Sequence, residues 1–111
     1  MPYLGIQTNV EVGDKDSFLK DISALVAKEL GKPERYVMVS VENKKMLFGG
    51  SGEACAFVEL KSIGLPSSET AGLSRAICDF IEERLKISPD RVYINFADVR
   101  GNMWGWNGST F

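Results

Sequence analysis

Two stretches of the chain carry apolar residues at the spacing of an α-helix. Both use the offsets i, i+4, i+7, i+8 and i+12, which place the apolar side chains in a single stripe. These residues are Phe18, Ile22, Leu25, Val26 and Leu30 in the first stretch, and Leu73, Ile77, Phe80, Ile81 and Leu85 in the second. The pattern predicts two amphipathic helices that each cover one side of a core.

Residues suited to capping flank both predicted helices. Gly13-Asp14 precedes the first helix and Pro66-Ser67-Ser68 precedes the second. Asp14 and the two serines are therefore N-cap candidates, because their side-chain oxygens can accept a hydrogen bond from the first helical turn. Gly31 is expected to end the first helix, since glycine adopts the left-handed conformation of a C-cap at little cost.

Strand patterns follow each predicted helix. Residues 36–41 and 92–96 alternate branched or aromatic residues in the way that a half-buried strand requires. A similar tripeptide precedes each run, Pro33-Glu34-Arg35 in one case and Pro89-Asp90-Arg91 in the other. The two halves of the chain therefore look like a repeat.

Further strand candidates precede each helix, at residues 3–9 and 55–62. The order of elements is then β-α-β in residues 1–50 and again in residues 51–111. A glycine-rich turn at residues 48–52 connects the two halves.

This order of elements predicts the fold class. A helix between two strands of one sheet makes those strands parallel neighbours. Two such units predict an α/β fold for a single domain, residues 1–111. The expected form is a two-layer α+β sandwich, in which both helices lie on one face of a four-stranded mixed sheet.

The other face of this sheet is left uncovered, and strand alternation predicts which side chains lie on it. If the valines of the first run face the helices, Met38 and Ser40 point away from them, and by the same rule Tyr93 and Asn95 point away in the second run. A partly apolar exposed face in so small a chain favours oligomerisation about that face.

The composition excludes several classes of function. The 111 residues include no histidine, two cysteines, and thirteen basic against fifteen acidic side chains, for a formal net charge of −2. This balance offers no basic patch for nucleic acid or a membrane surface. Without histidine, Ser-His and Cys-His catalysis and histidine metal sites are excluded, and the two distant cysteines do not suit a zinc site, so no metal is expected. No signal peptide or apolar span is recognised, so the expected location is cytoplasmic.

Pro2 is the most informative candidate for chemistry. Removal of Met1 would turn its nitrogen from an amide into a secondary amine, which can accept a proton near neutral pH. Burial or a nearby Lys32 would lower the pKa of that amine toward the range of a general base. The alternative, from position alone, is that Pro2 only begins an edge strand.

Several ordered blocks of residues span the chain and carry a resemblance to a known family. They are Met1-Pro2 with Thr8-Asn9-Val10, Gly31-Lys32-Pro33 with Tyr36, Phe48-Gly49-Gly50-Ser51, Ser62-Ile63-Gly64, Ile87 to Asn95, and Gly105 to Phe111. In these blocks the chain resembles the macrophage migration inhibitory factor (MIF) family of the tautomerase superfamily, along essentially its whole length.

The resemblance implies both an assembly and an activity. The assembly is a homotrimer whose sheets surround a central channel. The activity is cofactor-free keto-enol tautomerisation of small aromatic α-keto acids such as phenylpyruvate and 4-hydroxyphenylpyruvate, with D-dopachrome as a test substrate. Pro2 would be the general base, and Lys32 would hold the substrate carboxylate or the oxygen on which enolate charge develops.

The resemblance also implies a set of substrate-binding residues. They are Tyr36, Ser62, Ile63, Tyr93, Asn95, Trp104, Trp106 and Phe111. Tyr93 and Asn95 match positions that a neighbouring subunit contributes, whereas the aromatic residues match an apolar mouth suited to a flat ring. Trp104 replaces a smaller aliphatic residue of many relatives and would narrow or reshape the pocket. Lys61 adds positive charge near its mouth.

Two other functions stay open. Animal relatives act as leaderless secreted cytokines, so a signalling ligand for a cell-surface receptor is one alternative, although no compact receptor-binding motif is recognisable. A trimer that binds an aromatic acid without catalysis is the other.

One redox function is excluded by a single substitution. Val58 replaces the second cysteine of the Cys-x-x-Cys pair that begins at Cys55, so dithiol redox chemistry by that route is excluded.

Overall fold

Four strands and two long helices form the body of the protein, and a short hairpin follows them. The computed structural model describes all 111 residues. In chain order the elements are β1 (Tyr3–Thr8), α1 (Lys15–Leu30), β2 (Met38–Asn43), β3 (Ala56–Ile63), α2 (Thr70–Leu85), β4 (Val92–Val99), β5 (Gly105–Trp106) and β6 (Ser109–Thr110). The repeated β-α-β order is confirmed. Neither helix is both long enough and apolar enough to cross a lipid bilayer.

The four main strands form one mixed sheet in the order β2-β1-β3-β4. β1 and β2 are parallel, and so are β3 and β4, whereas β1 and β3 run antiparallel at the centre of the sheet. Each helix connects two parallel neighbours, as a crossover connection must. The two β-α-β units therefore join through their first strands.

The core lies between the sheet and the two helices. Leu4 and Ile6 of β1 and Val58 and Leu60 of β3 face it and are fully buried. The helices complete the core with their apolar stripes, whose buried members are Phe18, Ile22 and Val26 in α1 and Leu73, Ile77, Ile81 and Leu85 in α2. The predicted two-layer sandwich is confirmed.

The predicted caps of α1 are confirmed, but the predicted serine cap of α2 is wrong. Asp14 accepts a hydrogen bond from the backbone N–H of Ser17 at 3.1 Å, and Gly31 ends the helix with φ 62°. Before α2, residues 67–69 form a 3₁₀ turn instead, and the helix begins at Thr70 without a side-chain cap. Backbone carbonyls in this turn accept the N–H bonds that a serine hydroxyl would otherwise satisfy.

The structure shifts most of the predicted strand ends by one to three residues and gives the C-terminal tail a defined form. The first predicted run begins with a 3₁₀ turn at residues 34–36, so β2 starts two residues later, whereas β4 continues to Val99. The glycine-rich tail pairs β5 with β6 as a hairpin. Its turn residues Asn107 and Gly108 have φ values of 54° and 77°, which is the hairpin geometry that an Asn-Gly pair favours.

The sheet face opposite the helices is uncovered, as strand alternation predicts. Met38 is 66% exposed and Tyr93 is 65% exposed on this face, and Ser40 and Asn95 are exposed beside them. The predicted parity is confirmed, because the alternate residues Val39 and Ile94 pack against the core. The trimer that would cover this face stays a prediction.

Gly5 allows the side chain of Tyr3 to lie across β1, where its hydroxyl is 3.0 Å from the hydroxyl of Ser40. A Cβ at position 5 would overlap the Tyr3 hydroxyl. We expect Gly5→Ala to lower the free energy of unfolding by about 1 kcal/mol, the typical contribution of one hydrogen bond. Urea denaturation measures this change.

Gly72→Ala is the matched control for that substitution. Gly72 lies within α2, and open space surrounds the position of its absent Cβ. Alanine should therefore raise the free energy of unfolding by about 0.5–1 kcal/mol through its higher helix propensity. Changes of the same sign at both glycines would contradict this account.

Candidate active site

A cavity of about 750 Å³ lies where the N-terminus meets the segment before β2 and the C-terminal hairpin. Ten of its fourteen lining residues are apolar, a composition typical of small-molecule sites. The N-terminal wall comprises Met1, Pro2 and Tyr3. The other walls comprise Arg35 to Met38, Lys61 of β3, Val99 of β4, Met103 to Trp106, and Phe111.

The N-terminus is held in the sheet rather than free. The Pro2 side chain is fully buried, and its carbonyl accepts a hydrogen bond from the backbone N–H of Met38 at 3.0 Å. β1 then pairs with strands on both sides from Tyr3 onward. In the structure Met1 precedes Pro2, so the proline nitrogen is an amide and the terminal amine belongs to Met1.

The terminal amine is less basic than an ordinary α-amino group. Desolvation by burial lowers its pKa most, and repulsion from the Lys32 ammonium lowers the pKa further. Both effects disfavour the protonated form, because a buried charge loses hydration and a second positive charge nearby repels it. More of the amine is therefore present as a free base at neutral pH.

Lys32 reaches this region because α1 ends in a left-handed turn. Gly31 adopts the αL conformation, and the backbone N–H of Lys32 bonds to the carbonyl of Ala27 at 3.0 Å. The side chain then crosses to β3, where its Nζ donates a hydrogen bond to the carbonyl of Ile63 at 2.8 Å. An ammonium group has three donors, so two remain for a ligand.

Aromatic side chains form a second part of the cavity lining, the aromatic wall. The Trp106 and Phe111 rings are stacked, with centroids 5.4 Å apart. Tyr36 meets them edge-on at 5.8 Å and 6.2 Å, respectively. Trp104 lines the same cavity and is half-buried. This aromatic wall is apolar, and its rings take the stacked and edge-to-face arrangements that aromatic groups prefer.

The structure brings together one half of the predicted site residues. Pro2, Tyr36, Trp104, Trp106 and Phe111 line one cavity. The pair formed by Lys32 and Ile63 belongs to the same end of the sheet, because Lys32 is close enough to influence the terminal amine.

Other predicted site residues lie apart from the cavity within a single chain. Ser62 lies on the helix-facing side of β3, where its hydroxyl is fully buried and has no hydrogen-bond partner. Tyr93 lines a second cavity of about 420 Å³, and Asn95 is exposed on the uncovered sheet face. A role for Tyr93 and Asn95 in the main cavity would therefore need a second chain.

Arg91 holds the loop beside Tyr93 in place. Its guanidinium donates to the carbonyls of Phe48, Ser51, Glu53 and Ala54, so each of its three nitrogens is bonded to the 48–54 loop. The Phe48 ring then packs on Tyr93 with centroids 4.6 Å apart. Tyr93 is thereby displayed at a defined place on the uncovered face.

Several residues that line the main cavity were not predicted from the sequence. They are Met1, Tyr3, Arg35, Val37, Met38, Val99, Met103 and Gly105. Most are neighbours in sequence of residues that were predicted, so proximity along the chain is a usable signal for them. Val99 had no such signal, because only the register of β4 against β3 places it beside Ile63.

Comparison with known proteins now decides the family. The family model described as macrophage migration inhibitory factor (MIF) matches residues 1–111. The chain belongs to the MIF family. The macrophage migration inhibitory factor of Rattus norvegicus is 39% identical over 114 residues, covering 100% of this chain and 99% of that protein. A macrophage migration inhibitory factor homolog from Brugia malayi is 41% identical over 114 residues, which again cover 100% of this chain and 99% of that protein.

Solved structures agree with this membership. The macrophage migration inhibitory factor homologue from Prochlorococcus marinus matches this MIF-family chain with a TM-score of 0.94 and 46% identity, covering 98% of each chain. The macrophage migration inhibitory factor from Trichinella spiralis matches with a TM-score of 0.93 and 36% identity, over 98% of this chain and 99% of that one. The two helices on a four-stranded mixed sheet are therefore the family fold.

The charge of Lys32 is expected to set part of the basicity of the terminal amine. Lys32→Gln removes the repulsion, so the pKa of the amine should rise, while burial still keeps that pKa below its ordinary value. The pH dependence of N-terminal acylation by acetic anhydride, followed by peptide mass spectrometry, measures the pKa. Lys20→Gln, which removes an exposed charge from α1, should leave the pKa unchanged, and an unchanged pKa in Lys32→Gln would contradict the prediction.

Proposed function

We propose that this MIF-family protein is a cofactor-free keto-enol tautomerase of small aromatic α-keto acids, with Pro2 as the general base. The observation that carries this proposal is the position of the N-terminus. Met1, whose terminal amine has a lowered pKa, lines a cavity that has an aromatic wall, and Lys32 is close enough to repel that amine.

Removal of Met1 is part of the proposal. Met1 lines the cavity next to the buried Pro2, so its loss would enlarge the cavity and leave the proline nitrogen at the wall as a secondary amine. Burial and the charge of Lys32 would act on this amine as they act on the amine of Met1, which favours the free base. A base with a pKa near the working pH transfers protons efficiently.

The proposed reaction moves one proton between carbon and oxygen. In the ketone-to-enol direction, the Pro2 amine removes a proton from the carbon next to the ketone, and the electron pair of that C–H bond forms an enolate. The proton then returns to the enolate oxygen, which gives the enol and restores the free amine. The reverse sequence converts the enol into the ketone, so the reaction needs no other reagent.

Lys32 is suited to stabilise the charge that develops during this transfer. Its bond to the Ile63 carbonyl fixes the direction of the ammonium group and leaves two donors for the substrate carboxylate or the enolate oxygen. A donor that is already oriented and partly withdrawn from water stabilises a developing negative charge without reorganising. The aromatic wall of Tyr36, Trp106 and Phe111 would hold the ring of the substrate.

A homotrimer would complete this site. The uncovered sheet face carries Met38 and Tyr93, which are both large and exposed, so another copy of the chain is a suitable cover for it. In the proposed trimer, Tyr93 and Asn95 of one subunit enter the cavity of its neighbour. The loop that Arg91 anchors would then fix Tyr93 for this purpose.

Blocking the proline nitrogen tests the identity of the base. Insertion of one alanine between Met1 and Pro2 keeps that nitrogen as an amide, which cannot accept the proton. We expect kcat/KM for ketonisation of phenylenolpyruvate, followed by ultraviolet absorbance, to fall by about 10²–10⁴-fold, the usual contribution of a general base. Pro2→Gly should also lower it strongly.

Intact mass and a second proline supply the controls. The mass of each preparation shows whether Met1 is present, and turnover should accompany only the form that lacks it. Pro66→Gly changes an exposed proline before α2 and should keep turnover. Full activity of the alanine-insertion variant would overturn the proposed mechanism, whereas specific binding without turnover by the unblocked protein would favour a non-catalytic binding protein.

Mixing two inactive variants tests whether neighbouring subunits share the site. One variant carries the alanine insertion, and the other carries Tyr93→Ala with Asn95→Ala. In random mixed trimers about a quarter of the sites combine an intact Pro2 with an intact pair from the neighbour, because each site needs one chain of each kind in a fixed order. Co-refolding should therefore restore activity to about that fraction.

Refolding each variant alone is the control for this experiment, and both should stay inactive. Sedimentation should give three times the chain mass of 12.2 kDa for the mixture. A mixed trimer that stays inactive would contradict a site shared between subunits.

A further inference from the structure

Two positive side chains in the lining of the main cavity, Arg35 and Lys61, have no acidic partner. No aspartate or glutamate lines the cavity. The ion pairs of the chain lie elsewhere, between Lys44 and Glu42 on β2 and its following loop, and between Arg84 and Asp21 on the two helices. The two cations are therefore free to meet an anion that enters the cavity.

Their positions differ from that of Lys32. Arg35 holds its guanidinium over the Tyr36 ring, 4.7 Å from the ring centroid, so it belongs to the aromatic wall. Lys61 stands on β3 opposite Tyr3 in the strand register. Lys32, in contrast, is tied to the Ile63 carbonyl near the terminal amine.

Lys32, Arg35 and Lys61 together carry more positive charge than a single substrate carboxylate can neutralise. The α-keto carboxylate of a proposed substrate would bind Lys32 and the terminal amine, whereas its aromatic ring would lie on the aromatic wall that carries Arg35. Although the chain has a net charge of −2, two of its cations, Arg35 and Lys61, line a largely apolar cavity. A locally positive cleft concentrates anionic ligands, and guanidinium groups match carboxylates especially well.

We infer that Arg35 and Lys61 select substrates that carry a second anionic group on the aromatic ring, in addition to the α-keto carboxylate. This inference rests on the proposed tautomerase function for its kinetic test, and a binding test stands independently of that function. The chemical class is an aromatic α-keto acid dianion, with a ring carboxylate as the simplest second anion.

Two substrates of nearly equal shape test the selection. The two substrates are the enol forms of 4-carboxyphenylpyruvate and 4-carbamoylphenylpyruvate. The first carries a negatively charged carboxylate on the ring, and the second carries a neutral amide of nearly the same shape. We expect kcat/KM to favour the carboxylate by about tenfold at low ionic strength, which corresponds to roughly one charge-assisted hydrogen bond. The preference should shrink as salt is added.

Paired variants show whether these two cations cause the preference. The double variant Arg35→Gln with Lys61→Gln should bring the ratio of the two kcat/KM values close to one, and Lys61→Arg should retain a preference. The matched control is Arg75→Gln with Lys45→Gln, which removes the same charge from exposed positions outside the cavity. An equal loss of preference in this control would assign the effect to net charge and overturn the inference.

Calorimetric binding of unreactive analogues separates the two proposals. The probes are 4-carboxycinnamate and 4-carbamoylcinnamate, which keep the ring and one carboxylate but lack the ketone. Tighter binding of the first, lost in the Arg35 and Lys61 double variant, supports the inference even if phenylenolpyruvate is not turned over. Turnover of phenylenolpyruvate without a preference between the two ring substituents, in kinetics and in binding, would overturn the inference and leave the proposed function standing.

Discussion

The pairing of β1 on both of its sides is the interaction on which the candidate site depends. β1 is a central strand, parallel to β2 and antiparallel to β3, and the bond from the Met38 N–H to the Pro2 carbonyl continues the ladder to the second residue. Chain termini usually fray. Here the ladder holds the terminus at a fixed place against the cavity, which is the requirement for any chemistry by its amine.

The second constraint is that two helices cover only one face of a four-stranded sheet. Strand alternation then forces every other side chain onto the open face, and Met38 and Tyr93 are exposed there as a result. In the proposed trimer, this face is buried between subunits, and the anchored Phe48 and Tyr93 rings become part of a shared pocket.

Positive charge links the basicity of the amine to ligand choice. Burial and, after it, the charge of Lys32 lower the pKa of the terminal amine. In the proposed function the same Lys32 charge would also attract the anionic substrate. The bond of Lys32 to the Ile63 carbonyl limits how far its ammonium group can move. Arg35 extends this positive field to the aromatic wall, and Lys61 adds a second charge to the cavity lining, opposite Tyr3 in the sheet.

Local pattern was sufficient for much of the fold. Helical spacing around Ile22 and Ile77 and the parity of Tyr93 and Asn95 were correct, because both depend on the geometry of a single element. The Ser67 or Ser68 cap was wrong, since a 3₁₀ turn could satisfy the same N–H groups through backbone carbonyls. That competition between two local hydrogen-bond patterns is not visible in residue identity alone.

The sequence by itself determined the β-α-β repeat, the open sheet face, and the absence of histidine, which leaves the nitrogen of Pro2 as a candidate base. Only the tertiary structure decided that Pro2 meets Tyr36, Trp106 and Phe111 in one cavity, and that Ser62 faces the helices instead. It also decided that Arg35 and Lys61 share this cavity without an acid. The physical reason is that periodicity encodes the side of an element on which a residue lies, whereas encounters between distant residues depend on sheet order and register.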